Sequence, residues 1–82
     1  MLSEMPLRTR LVVESVQDLQ PNDPIARRLR ELGFVAGEQL EIVAKGPIGA
    51  EPLLVQVGYT RFALRRAEAA RVRVLPLAQE AA

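Results

Sequence analysis

The chain has 82 residues with 11 Lys plus Arg against 10 Asp plus Glu, a net charge of +1 that demands no polyanionic partner. It holds neither Cys nor His, which removes the disulfide framework, the thiolate zinc site, the thiol nucleophile, the usual general base and the commonest transition-metal ligand. Hydrophobic residues make up 49% with two Phe, one Tyr and no Trp, so a globular core would be aliphatic, and a chain of this size buries only about 60% of its unfolded surface.

Met1 to Leu7 carries Glu4 and Pro6 and has no apolar stretch of signal-peptide length, and no run approaches the ~18 apolar residues of a membrane span. The expectation is a soluble cytoplasmic protein with no direct membrane insertion. Arg8 to Val16 is short and rich in β-branched residues and predicts a strand, but both of its faces are apolar, so either could be inside. QDLQPND concentrates turn formers and predicts a surface connection.

Asp23 stands where an N-cap belongs and Pro24 where its missing amide costs nothing, so a helix starts here. Ile25, Leu29 and Leu32 at i, i+4 and i+7 predict one buried stripe, with Arg27, Arg28, Arg30 and Glu31 on the other faces. Gly33 ends the helix in a left-handed conformation, and Phe34 can fold back onto Leu29. Gly37 fits the third position of a type II turn, which feeds a strand over Gln39 to Lys45.

Lys45 to Pro52 holds two glycines and two prolines and predicts a semi-rigid loop without regular structure. Leu53 to Val57 and Thr60 to Leu64 alternate as two strands joined tightly at Gly58 and Tyr59. RRAEAAR predicts one helical turn. A last strand follows with Val72 and Val74 inward and Arg71 and Arg73 outward, and Pro76 stops it. Five short strands with tight connections and one helix predict a mainly β fold, a small curled sheet closing into a barrel. A single domain over 1–82 is expected, with its core at about 7–75 and a frayed tail at 76–82.

The chemical inventory is thin. Ser3, Thr9, Ser15 and Thr60 have no histidine to activate them, and the one lysine, Lys45, lies in a Gly/Pro loop that would not desolvate it. No catalytic residue, intrinsic cofactor or metal site is expected, and the protein is read as not an enzyme. Glu38, Glu41 and Glu51 crowd one strand and its loop, but Glu38 and Glu41 point to opposite sides. The one metal arrangement left open is a divalent ion held by surface carboxylates at a dimer contact. GPIGAEP lacks the GxxxxGK[ST] of a phosphate loop and reads either as a stiff connection or as a partner-docking loop. The arginines read either as a solvated surface or as a protein-binding face; with almost no aromatic residue to stack on bases, nucleic acid is not expected.

RRLRELGFVAGEQLEIV, GPIGAEP and VGYTRFALRRAEAARVRV together resemble the ferrous iron transport protein A (FeoA) family. The resemblance lies in Arg28, Leu29, Leu32, Gly33 and Gly37; in Pro47, Gly49 and Pro52; in Gly58 and Tyr59; and in Ala63, Leu64, Arg65, Arg66, Glu68 and Ala69. The chain departs from the pattern at Ala36, where proline is common, at Leu7, where glycine is common, and by one extra residue between Gly49 and Pro52. The resemblance implies a small SH3-like barrel of about five strands with a short helix inserted after the first, cytoplasmic, binding and modulating the FeoB transporter through its cytosolic GTPase domain. The residues expected to meet the partner are Arg27, Arg28, Arg30, Pro47, Ile48, Gly49, Arg65 and Arg66. The alternative is an SH3-like regulatory module acting with a metal-dependent transcriptional repressor. Exposed sheet edges leave a homodimer open.

Overall fold

In the computed structural model, which describes residues 1–49 and 51–77, a short 3-10 turn at Leu2–Glu4 precedes the first strand. The elements then run β1 (Arg10–Val16), α1 (Pro24–Leu32), β2 (Gln39–Ile48), β3 (Glu51–Val57), β4 (Thr60–Leu64), α2 (Arg66–Ala69) and β5 (Val72–Pro76). The strands make one antiparallel sheet in the order β4-β3-β2-β1-β5. This is the expected mainly β architecture, with its helix inserted after the first strand.

The sheet buries one face. Leu11 and Val13 of β1 point in, and a register shift between Val13 and Ser15 turns Val16 inward as well. Leu40 and Ile42, Leu53 and Val55, Leu64, and Val72 and Val74 complete the strand layer, while Phe34, Ala26, Leu29 and Ala69 close over it. Each large aliphatic side chain so buried contributes about 1.5–3 kcal/mol. The core also reaches further toward the N-terminus than the expected 7–75, because Leu2 is fully buried. The expected fraying falls mostly on 78–82, outside the described residues.

Helix α1 is fixed at both ends. Asp23 accepts from the backbone N–H groups of Ile25 (3.0 Å) and Ala26 (3.4 Å), and Pro24 occupies the first turn. At the other end Gly33 has φ 115°, and the Phe34 N–H reaches back to the Leu29 carbonyl at 3.1 Å. Phe34 then drops into the core beside Phe62, ring centroids 5.3 Å apart and tilted by 56°. Gly37 has φ 94° and Glu38 closes the turn onto Val35, as its spacing predicts.

Three expectations are corrected. The segment 45–52 is not an irregular loop, since β2 runs to Ile48 and β3 starts at Glu51. Pro47 and Pro52 fall in the register shift between the pairs Lys45–Leu53 and Ile48–Glu51, where no ladder amide is asked of them. Gly46 packs against the Glu51 backbone, where a Cβ would collide. Arg71 does not face outward with Arg73; it precedes β5 and is buried against Asp23. Leu32 is not part of a buried stripe. The inward face of α1 is Ala26 and Leu29, while Leu32 remains 38% exposed and Ile25 half-buried.

Candidate partner-binding groove

Because α1 is pinned at its ends, its flank stands beside β4 without closing onto it. The N-terminal pin is the Asp23–Arg71 pair, Nε to Oδ2 2.7 Å, in which Arg71 also donates to the Ala67 carbonyl at 2.6 Å and so ties α1 to α2. The C-terminal pin is Phe34 under Phe62. Between them runs a groove of about 440 Å³, within the ~300–1,000 Å³ of recognition clefts. Ile25, Leu29 and Leu32 line one wall, Phe62, Ala63 and Leu64 the other, with Arg28 and Glu68 at the rim.

The rim charges are not equivalent. Glu68 is committed, since its Oε1 accepts the Arg65 backbone N–H at 2.8 Å and caps α2. Arg28 is exposed and, among the described residues, makes no ion pair. Arg65, where β4 passes into α2, is in the same state. Of the two charged groups that line the groove, Arg28 is therefore the one left free to meet a partner's charge.

The arginines and loop residues singled out in the sequence are not all brought together. Arg27 and Arg28 are exposed on α1, but Arg30 is spent within the fold, donating to the Val16 carbonyl at 2.7 Å and the Asp18 carboxylate at 2.8 Å. Arg66 is likewise engaged. Its guanidinium donates to the Gly49 carbonyl and its backbone N–H to Glu51 at 2.9 Å, which fastens the β2–β3 turn onto α2. Pro47 is exposed nearby; the Ile48 backbone pairs with Glu51, and the Ile48 side chain lies outside the described residues. Arg28 thus lines the groove, Arg65 follows the end of its β4 wall, and Pro47, Gly49 and Arg66 belong to a separate turn.

Sequence periodicity misses the groove because it assigns Ile25, Leu29 and Leu32 to a buried stripe. The available signal was the competing i, i+3, i+6 line of Asp23, Ala26 and Leu29, which is the line that faces inward. Among the described residues no three acidic side chains converge on a metal position. Glu14 is held by Arg73 and Asp18 by Arg30.

The family model of the FeoA domain matches residues 1–76. A solved FeoA from Stenotrophomonas maltophilia, complexed with zinc, is 74% identical, with 89% of this chain and 86% of that one aligned at a TM-score of 0.82. That protein is described as a procaryotic SH3 domain protein and is proposed as a bacterial ferrous iron transport activating factor. The FeoA protein of Chlorobium tepidum is 34% identical over 98% of this chain and 73% of its own, TM-score 0.79. A manganese-dependent transcriptional repressor shares the fold at 18% identity, TM-score 0.78, over 93% of this chain and 40% of its own. No curated protein sequence matches the chain.

Proposed function

Because the chain belongs to the FeoA domain family, we propose that it is a cytoplasmic, non-enzymatic accessory of ferrous iron uptake that binds FeoB and modulates it through that transporter's cytosolic GTPase domain. The observation that carries this reading is the open apolar groove between α1 and β4. Ile25, Leu32 and Phe62 leave apolar surface in a concave site with Arg28, which makes no ion pair among the described residues, at its mouth, a docking arrangement rather than a reaction centre. The 74% identical Stenotrophomonas protein, proposed as a transport activating factor, lends the biological context. Among the described residues no helix is long and apolar enough to cross a membrane.

Metal enters this reading at most between copies. Zinc favours nitrogen and sulfur donors, and with neither His nor Cys in the chain an ion of the kind bound by the Stenotrophomonas protein would be held by exposed carboxylates such as Glu38 from two molecules. The test of the main reading is titration of the full chain onto full-length FeoB in detergent, with GTP hydrolysis followed in parallel, and ferrous iron uptake in a deletion strain. Saturable binding with altered hydrolysis is expected. Normal uptake in the deletion strain, or co-purification with a DNA-binding protein in place of the transporter, overturns it.

A further inference from the structure

The sheet has two edges, and they are not protected alike. At β5 the edge ends in Pro76, carries Arg73 tied to Glu14, and lies against the irregular stretch of β1 at Val13 and Ser15. These are features by which natural edges discourage pairing. At β4 there is neither a proline nor a register shift, and its one charged residue, Arg61, donates to the Gln56 side chain of the neighbouring β3 at 3.0 Å. The register of β4 with β3 is unbroken from Val57–Thr60 to Leu53–Leu64.

The two-residue turn at Gly58 and Tyr59 makes Val57 and Thr60 a hydrogen-bonded pair. Antiparallel alternation then leaves the N–H and C=O groups of Arg61 and Ala63 pointing away from β3. Among the described residues these groups have no backbone partner outside the ladder. Ala63 also lines the groove, flanked by Phe62 and Leu64.

We propose that the β4 edge is a strand-addition site: a partner segment of about five residues pairs in extended form with Arg61 to Leu64 and sets alternate apolar side chains into the α1–β4 groove. The inference rests on the docking reading above and names the conformation and chemistry of what docks. Any occupant that dries the groove covers the Ala63 amide and carbonyl, and an added strand satisfies them whereas a helix leaves them unpaired. Inward-facing side chains of such a strand meet Ile25, Leu32 and Phe62. Arg28 at the rim, exposed and without an ion pair among the described residues, favours a segment that carries an acidic residue beside its apolar ones.

The test uses the full chain against full-length FeoB in detergent, with three variants. Ala63→Pro removes the outward amide at a position where an edge strand tolerates proline; Ala63→Ser keeps that amide; Leu32→Glu spoils the apolar wall. Loss of the paired edge is expected to weaken binding roughly tenfold or more in Ala63→Pro, with Ala63→Ser within about twofold of the unmodified chain and Leu32→Glu weakened at least as much. As a readout independent of any variant's folding, hydrogen exchange at the Ala63 amide of the unmodified chain should slow at least about tenfold in the complex. Binding unaffected by Ala63→Pro together with unchanged Ala63 exchange overturns the proposal while leaving the docking reading intact. Loss of binding in Leu32→Glu alone assigns the groove to a helical occupant and also overturns it. Self-association of the free chain that disappears in Ala63→Pro makes the occupant a second copy, which rejects the partner segment. Absence of any binding by the unmodified chain is instead the failure of the docking reading itself.

Discussion

The carboxylate of Asp23 and the guanidinium of Arg71 meet at 2.7 Å although they stand 48 positions apart in the sequence, and both are buried. Arg71 holds the Asp23 carboxyl down at about 2 from its ordinary 3.8, opposed by burial and assisted by the backbone N–H groups of Leu19, Ala26 and Ile25. The folded form therefore releases this proton more readily than the unfolded chain. A carboxyl whose folded pKa is depressed contributes stability above its unfolded pKa and loses that contribution as pH falls through the folded value. The window is thus about pH 4 down to pH 2. Thermal melting followed against pH should show this contribution constant above pH 5 and disappearing across that window, and Asp23→Asn should remove that part of the acid dependence. An unchanged acid slope in Asp23→Asn would reject the assignment.

Replacing the other partner tests the same contact at neutral pH. Arg71→Gln leaves the Asp23 charge buried without its guanidinium and unties α1 from the Ala67 carbonyl. The melting temperature is expected to fall by more than ~5 °C. Arg73→Gln, whose ion pair with Glu14 is exposed at 3.5 Å, should shift it by no more than ~2 °C. Equal shifts in the two variants would mean that burial does not distinguish these pairs.

The fold was largely legible because its signals are local. Asp23-Pro24 and Gly33 bracket α1, Gly37 and Gly58 mark turns, and alternation marks the strands. What escaped depends on partners distant in sequence. Arg71 alternates with Arg73 and looks solvent-facing until Asp23 draws it inward. Pro47 and Pro52 look like strand breakers until a register shift releases them from the ladder. The groove escaped for a related reason: no local pattern reveals that the helix flank carrying Ile25 and Leu32 faces β4 across a gap.

Gly33 tests the helix stop apart from packing. A Cβ built there meets nothing within 4 Å, so the backbone at φ 115° is the only obstacle to a side chain. Gly33→Val should cost about 1 kcal/mol or more, or a melting temperature lowered by roughly 4–8 °C for each kcal/mol. Gly33→Asn should cost less, since asparagine visits the left-handed region more readily. An unchanged melting temperature in Gly33→Val would show that the helix end is not held in this conformation.

Arg8 is the converse case. It sits at φ 64° in the turn before β1, its N–H held by the Ile42 carbonyl at 2.7 Å, in a conformation that suits glycine better than a long side chain. Arg8 is exposed and makes no ion pair among the described residues, so removing its side chain forfeits little. Arg8→Gly is expected to stabilise the fold by about 0.5–1 kcal/mol, the relief of the left-handed strain exceeding the added freedom of the unfolded chain. Arg8→Ala keeps the Cβ and therefore the strain, and should leave stability within ~0.5 kcal/mol of the unmodified chain. Chemical denaturation of the three proteins separates the effects: a gain in Arg8→Gly alone identifies the backbone as the cause, whereas equal gains in both would place it in the arginine side chain.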